Sequence, residues 1–191
     1  MSYPTLRLHP RKEESVLRFH PWIFSGAIAS FSAPVEDGDL VSVVDSKGRP
    51  LGTGHFGGGS IAVRLLSFDA EEVIDRAFYK RRLEAALRLR LSCDLVRPFG
   101  SSDSPNTTYR LVHGEGDSLP GLIIDIYDRT AVVQAHSLGM HQARQTIAEV
   151  LWEVFAEAGD PVLPLEGIYY KSETTLPTRD MRELASDGFL I

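Results

Sequence analysis

Two carboxylates, Glu115 and Asp117, lie two residues apart in the segment GEGDSLPG, residues 114–121, the most distinctive short pattern in the chain. Paired carboxylates could serve in acid–base chemistry or bind a cation. A tight turn between strands requires the same residue types, because glycine accepts positive φ and acidic side chains accept backbone hydrogen bonds. Turn chemistry explains most of the segment, so we expect a structural role for Gly114, Glu115, Asp117, Pro120 and Gly121.

A second glycine pattern, GTGHFG at residues 52–57, has the G-x-G-x-x-G spacing of dinucleotide and S-adenosylmethionine sites. Such a site needs a strand, a glycine turn and then a helix whose N-terminal amides face the ligand. More loop and a β-branched strand follow here. We therefore expect the glycine-rich rim of a hairpin rather than a cofactor site.

Other catalytic and metal-binding patterns are missing from the sequence. The six histidines show no H-E-x-x-H or comparable ligand spacing, which gives no basis for a metal site. The chain has no G-x-S-x-G elbow and no P-loop, and Cys93, its single cysteine, has no Cys-His signature. No catalytic residue is assigned, and hydrolase and nucleotide-triphosphatase functions lack support.

A cluster of basic and aromatic residues stands near the N-terminus. Arg and Lys side chains neutralise phosphates, and aromatic faces stack on unpaired bases. The alternative is a solvated charged face, with Trp22 packed into the core. The candidate RNA-contacting residues are Arg7, Arg11, Lys12, Arg18, His20 and Lys47, with Lys80, Arg81 and Arg82 as an extension along the next helix.

Composition and charge set the class of protein. With 191 residues, 43% hydrophobic and 24% charged, the chain can bury a core and is not disordered. It has no apolar run long enough to span a membrane and no secretory signal, and its cysteine usage fits a reducing cytoplasm. The net charge is −6, yet residues 1–97 carry 14 basic and 12 acidic side chains. The first half is therefore slightly basic and the second half strongly acidic, which indicates two units. Only the first unit would attract a polyanion electrostatically.

The fold class expected from the element pattern is α+β. Residues 1–68 predict a small β-barrel, with strands over 40–45 and 61–66, a hairpin turn at 46–49 and one helical turn at 20–24. Residues 69–97 predict a connecting helix, which a capping box of Asp69 and Glu72 would begin.

The second half of the chain predicts a separate small unit. Residues 98–107 are rich in Ser and Pro and read as a linker, and residues 108–191 form the second unit. Its expected elements are strands over 109–112, 122–127, 131–135 and 168–171 and a helix over 140–158, ended by Gly159.

Three segments together resemble a known family. RFHPWIFSGAI at 18–28, RLLSFD at 64–69 and YRLVHGEGDSLPGL at 109–122, followed by Asp125, are similar to motifs of the bacterial 23S rRNA large-subunit methyltransferase I family. Members of that family are class I S-adenosylmethionine-dependent rRNA (cytosine-C5) methyltransferases. Ser118 departs from the pattern, since glycine is usual at its position.

The resemblance implies a PUA RNA-binding barrel, a helical connector and a central β-β-α-β-β domain. It also implies a C-terminal domain that binds S-adenosylmethionine and supplies the catalytic cysteine, which we do not find in these 191 residues. The expected partners are RNA, with 23S rRNA as the expected target, and that catalytic domain in cis, with residues 114–121 and Asp125 at the interface. We expect no cofactor on this chain itself.

Two alternatives remain at this point. One is a stand-alone RNA-binding or assembly adaptor, and the other is a small independent enzyme that uses Glu115 and Asp117. An apolar patch left by a missing domain would favour a homodimer.

Overall fold

The computed structural model describes residues 3–98, 100, 104–178, 182–183 and 185–191. The chain forms two compact units, Met1–Ile74 and Asp75–Ile191. The expected α+β class is confirmed. Part of the predicted linker, residues 99 and 101–103, lies outside the described residues. On the two sides of these linker residues, Arg97 and Asn106 pair as an antiparallel bridge.

Unit 1 is built on one six-stranded sheet in the order β2-β6-β5-β4-β1-β3, antiparallel except for the parallel pair β1 and β4. Alternating apolar residues place one face on the core, where Leu6, Val41 and Leu65 are buried. The strands are β1 (Thr5–Leu8), β2 (Trp22–Phe24), β3 (Ile28–Phe31), β4 (Leu40–Val44), β5 (Pro50–Phe56) and β6 (Ile61–Ser67).

The predicted hairpin turn at 46–49 is confirmed, with Gly48 at φ +86°. Asp45 organises it, because its side chain accepts hydrogen bonds from the backbone N–H of Lys47 (2.8 Å) and of Arg49 (2.9 Å). Burial raises the pKa of Asp45, but these hydrogen bonds and the Arg49 guanidinium outweigh it and hold the pKa below its ordinary value. The carboxylate therefore locks the turn between β4 and β5.

The helical turn expected at 20–24 is wrong, because Trp22–Phe24 form strand β2 against β6. Ile23 points into the core, whereas Trp22 pairs with Arg64 across the strands and is half-buried rather than a core plug. The helical turn, α1 (Glu14–Leu17), lies upstream. Short aromatic runs suit both helix and strand, and the unpaired edge of β6 decides in favour of the strand.

Unit 2 contains a five-stranded sheet in the order β11-β10-β9-β8-β7. β9 and β10 are parallel and joined through helices, and the other neighbouring strands are antiparallel. The unit has one strand more at its start than the expected β-β-α-β-β order. Its elements are α2 (Arg76–Ser92), β7 (Thr108–His113), β8 (Leu122–Tyr127), β9 (Thr130–Ala135), α3 (Leu138–Gln142), α4 (Arg144–Ala158), β10 (Gly167–Tyr170) and β11 (Gly188–Phe189).

Helix α2 begins later than the sequence pattern indicates. Asp75 is its N-cap and accepts a hydrogen bond from the backbone N–H of Phe78 (2.9 Å), while Asp69 closes a separate turn by accepting from Glu71. The predicted capping box is therefore wrong: two Asp residues compete for the cap, and the one next to the apolar run caps the helix.

Helix α2 packs on α4 in unit 2. Arg76 makes ion pairs with Glu149 and Glu153, and Lys80 pairs with Glu157. The apolar face predicted for α4 is confirmed, with Ile147, Val150, Leu151, Val154 and Phe155 all buried. Among the described residues, no helix is both long and apolar enough to cross a membrane.

Candidate functional site

The segment 114–121 is a tight connection between β7 and β8. A single 3-10 turn (Gly114–Asp117) opens it, Ser118 follows in the left-handed conformation, and Gly121 closes it at φ +83°. Glu115 is exposed, whereas Pro120 is buried. Both carboxylates lie on one turn, but their surroundings differ.

Asp117 is committed to Arg90 of α2. The guanidinium donates two parallel hydrogen bonds, Nη1 to Oδ1 at 2.5 Å and Nη2 to Oδ2 at 2.8 Å, and both side chains are at most 10% exposed. The backbone N–H of His113 also donates to Oδ2 (2.6 Å), and Arg90 Nε donates to the carbonyl of Arg110 (2.9 Å). Both oxygens of Asp117 are occupied by these hydrogen bonds, so the arrangement supports a structural role for this carboxylate rather than acid–base chemistry shared with Glu115.

A second Arg–carboxylate pair stands beside the first, on the more exposed side of β7. Arg110 donates Nε to Oδ1 of Asp125 at 2.7 Å and Nη2 to Oδ2 at 3.0 Å. The pairing raises the pKa of Arg110, and the guanidinium also lies 3.3 Å from His113 Nδ1. This ion pair joins two antiparallel strands, since Arg110 faces Asp125 in the register.

Two open depressions lie along β7 within unit 2. One, of about 550 Å³, is lined by Tyr109, Arg110, His113, Asp125 and Tyr127 among others. The other, of about 540 Å³, adds the more apolar surface of Leu89, Cys93 and Leu95. Burial raises the pKa of Tyr109 to about 12, so its hydroxyl stays neutral at physiological pH.

Ser118 is strained where the family pattern has glycine. Its φ of +57° is left-handed, its side chain is exposed, and a Cβ there costs about 1 kcal/mol. We expect Ser118→Gly to raise the free energy of unfolding by about 1 kcal/mol, measured by urea denaturation. Ser118→Ala, which keeps the Cβ, serves as control and should show no gain. Equal stability of the glycine and alanine variants would contradict this.

In unit 1, three of the candidate basic residues follow one another around α1. Arg11, Lys12 and Arg18 are exposed, and the side chain of Arg18, 82% exposed, lies 4.0 Å from Glu14. His20 is also exposed and accepts a hydrogen bond at Nδ1 from the backbone N–H of Trp22. These exposed side chains can therefore contact a ligand that approaches from solvent.

Arg7 and Lys47 lie at a second place, the turn between β4 and β5. Arg7 donates to the carbonyls of Ser46 (3.1 Å) and Asp45 (3.4 Å), which links β1 to the turn, and Lys47 is exposed on the turn itself. Arg49, which the sequence reasoning missed, stands in the same turn and pairs with Asp45. The turn therefore gathers three basic residues, of which two already support the fold.

The candidates on α2 belong to unit 2. Lys80 donates to both oxygens of Glu157, which raises its pKa, and Arg82 lies 5.0 Å from the ring of Phe78. Arg81 is exposed. The charge excess of residues 1–97 comes from this helix, since residues 1–74 alone carry seven basic and nine acidic side chains.

The glycine pattern at 52–57 lies mostly inside strand β5, not on a hairpin rim. A Cβ at Gly52 or Gly54 would collide with the backbone of β6, so these glycines allow close strand approach. With their amides committed to the sheet and no helix following, these residues do not fit S-adenosylmethionine. In the part of the chain that the structure describes, no group of three metal-ligating side chains comes together.

Comparison with known protein families bears directly on unit 1. Residues 6–68 match the model of the PUA-like domain. These residues include α1, the basic residues around it and the turn between β4 and β5.

Curated relatives extend the similarity over both units. The chain is 33% identical over 184 residues to ribosomal RNA large subunit methyltransferase I of Klebsiella pneumoniae, which covers 96% of the chain and 42% of that protein. It is 40% identical over 153 residues to the protein of the same name from Shewanella amazonensis, covering 80% of the chain and 37% of the relative. The chain thus spans about two fifths of the length of these relatives, and the resemblance found in the sequence is confirmed.

Solved structures share the fold. A Streptococcus mutans protein described as a SAM-dependent methyltransferase superposes with a TM-score of 0.69 at 18% identity, covering 90% of this chain and 41% of its own. A methyltransferase complexed with SAH gives a TM-score of 0.70 at the same identity, covering 90% of this chain and 40% of its own. Because the relatives are methyltransferases, the stand-alone adaptor is not favoured.

Proposed function

We propose that this chain is the RNA-recognition and substrate-positioning part of a SAM-dependent 23S rRNA (cytosine-C5) methyltransferase that works in the cytoplasm. The observation that carries the proposal is that Arg11, Lys12 and Arg18, which flank α1 within the segment that matches the PUA-like domain, are all exposed. Exposed Lys and Arg side chains can displace counterions from phosphates, which supplies much of the affinity for RNA. The similarity to rRNA methyltransferases supports rRNA as the class of ligand.

In this proposal RNA is attracted by the basic residues around α1 and not by the net charge of unit 1. Unit 1 has a formal net charge of −2, so its average field does not draw a polyanion. Charges are screened beyond about 8 Å at physiological salt, so a bound phosphate senses mainly its immediate surroundings. Around α1 the three cations Arg11, Lys12 and Arg18 outnumber the two carboxylates of the same segment, Glu13 and Glu14. Arg7 and Lys47 form a second, weaker contact point at the β4–β5 turn, and Lys80 contributes least because Glu157 holds it.

Catalysis belongs, in this proposal, to a further domain that binds S-adenosylmethionine. Residues 114–121 and the surface of β7 are where that domain would dock, since the two Arg–carboxylate pairs make this connection rigid and the depressions beside it are open. Asp117 and Asp125 would then act by shaping the surface and not by contacting the methyl donor. We place no cofactor on the described residues.

The test is a triple variant, Arg11→Ala/Lys12→Ala/Arg18→Ala, titrated with deproteinised 23S rRNA at several salt concentrations. Each lost phosphate contact should reduce the slope of log K against log salt by about 0.7–0.9, so the triple variant should lose about 2 or more. A matched control, Arg88→Ala/Arg129→Ala/Lys171→Ala, removes three basic side chains from unit 2 and should keep the wild-type slope. The assignment fails if the two triple variants behave alike.

A further inference from the structure

Phe19 combines two features that a residue kept for stability does not show. Its φ of +61° is left-handed, a conformation that is costly for a bulky side chain, and 74% of its surface is exposed. Burial therefore compensates little for the strain, although one ring edge lies against Phe68 with centroids 5.3 Å apart. The Phe19 ring thus stays exposed to solvent although its backbone conformation is unfavourable.

The hydrogen bonds that end α1 explain why the backbone adopts this conformation. The N–H of Phe19 bonds the carbonyl of Val16 (2.9 Å) and the N–H of His20 bonds the carbonyl of Ser15 (3.0 Å). This pair of bonds is a Schellman motif, in which the residue at the position of Phe19 is normally glycine. Glycine would satisfy the same bonds without strain, so the motif alone does not account for an aromatic ring here.

The residues around Phe19 in the chain supply further aromatic and cationic groups, of which Arg18 and His20 are exposed and Trp22 is half-buried. His20 and Trp22 make an edge-to-face pair with ring centroids 5.7 Å apart, and the Nδ1 of His20 is fixed by the backbone N–H of Trp22. Arg18, immediately before Phe19, has 82% of its side chain exposed. We name Phe19, His20 and Trp22 the aromatic ledge.

We propose that the aromatic ledge stacks unpaired RNA bases, with Phe19 as its main stacking ring and Arg18 on the adjoining backbone. Single-stranded nucleic acid is bound by this combination of rings for base faces and cations for phosphates, whereas bases inside a duplex are not available to stack. The inference rests on the proposed function and narrows it, because it assigns the PUA-like domain to unpaired nucleotides in a loop, bulge or end.

The decisive variant is Phe19→Gly, assayed in the 191-residue protein against a short single-stranded RNA containing 2-aminopurine and against the matching duplex. Glycine suits the Schellman position, so we expect the variant to fold, with circular dichroism as the check. Affinity for the single strand should fall about 10-fold with the salt slope unchanged, because a stacked ring carries no charge. Phe19→Tyr should retain affinity, and Leu17→Ala, which removes exposed apolar surface from α1, should leave it unchanged.

Each other outcome has a definite meaning. If the wild type binds RNA in a salt-dependent way and Phe19→Gly binds equally well, the ledge is not a stacking site although the proposed function stands. Equal losses on single strand and duplex also overturn stacking. If the wild type binds no RNA at low salt, the proposed function fails and this inference with it. If Phe19→Gly instead abolishes self-association in sedimentation, the ledge is a protein contact and the inference is wrong.

Discussion

Replacing Asp117 with alanine should cost about 3–5 kcal/mol in the free energy of unfolding of unit 2. The substitution leaves the Arg90 guanidinium buried without its counter-charge and removes the acceptor of the His113 N–H. Unfolding in urea, followed by Trp152 fluorescence in a Trp22→Phe background, reports on unit 2, because each unit contains one of the two tryptophans.

Asp125→Ala provides the matched control. Its partner Arg110 is 46% exposed and can recover water, so we expect a loss of about 1 kcal/mol or less. The double variant Arg90→Met/Asp117→Leu should recover much of the stability lost in Asp117→Ala, since it buries no unpaired charge. A loss for Asp117→Ala no larger than that for Asp125→Ala would show that the buried pair does not hold the turn.

Acid should weaken unit 1 through His55, the second large effect that we expect. His55 is 6% exposed, its Nδ1 has no hydrogen-bond partner among the described residues, and burial together with nearby Arg64 lowers its pKa to about 4. The folded state therefore resists protonation relative to the unfolded chain, whose histidine titrates near 6.5. Above about pH 6.5 protonation of His55 costs no stability. As the pH falls below that value, the free energy of unfolding of unit 1 decreases, by about 3 kcal/mol at pH 4.

The measurement is urea unfolding of unit 1 between pH 7 and pH 4, followed by Trp22 fluorescence in a Trp152→Phe background. His55→Gln cannot be protonated and should lack this part of the pH dependence, whatever its stability at pH 7. His20→Gln, which removes an exposed histidine, should keep the wild-type slope. The lowered pKa of Asp45 adds a loss that begins at the acid end of this window, and the wild type and His55→Gln share that loss. Parallel profiles for wild type and His55→Gln would contradict the account.

Strands with a clear period and strong turn signals could be predicted from the sequence. β4, the turn at Gly48 and β6 follow from β-branched runs around a turn that needs positive φ, and the buried face of α4 follows from its 3.6-residue period. These features depend on neighbours in the sequence, which is why local patterns predict them.

The errors arose where tertiary contacts decide between two local solutions. The segment at Trp22 becomes a strand because the edge of β6 pairs with it. The start of α2 is a local error instead, because Asp75, which lies next to the apolar run, caps the helix in preference to Asp69. The RNA contacts expected of Lys80, Arg81 and Arg82 on α2 stay a prediction, but the ion pair of Lys80 with Glu157 of α4 could not be predicted from the sequence. Such pairings depend on residues more than 70 positions apart, which no local pattern reveals.

The candidate site was predicted in its residues but not in its contacts. The sequence predicts that residues 114–121 form a turn. It does not predict that Arg90 pairs with Asp117, because α2 contains several arginines and only the three-dimensional structure shows which of them reaches the turn. Phe19 was missed for the same reason. Its sequence signal is an aromatic residue at the position after a short helix where glycine is expected, and the left-handed backbone makes that signal visible.

Binding of the 191-residue protein to deproteinised 23S rRNA at about 50 and 200 mM salt tests the central claim most directly, with 16S rRNA as competitor. With three or more phosphate contacts, the dissociation constant should rise about 20-fold or more over that range. Salt-dependent binding that 16S rRNA displaces poorly is the result we predict. Absence of binding at the lower salt, or an affinity that does not change with salt, would contradict RNA recognition by this chain.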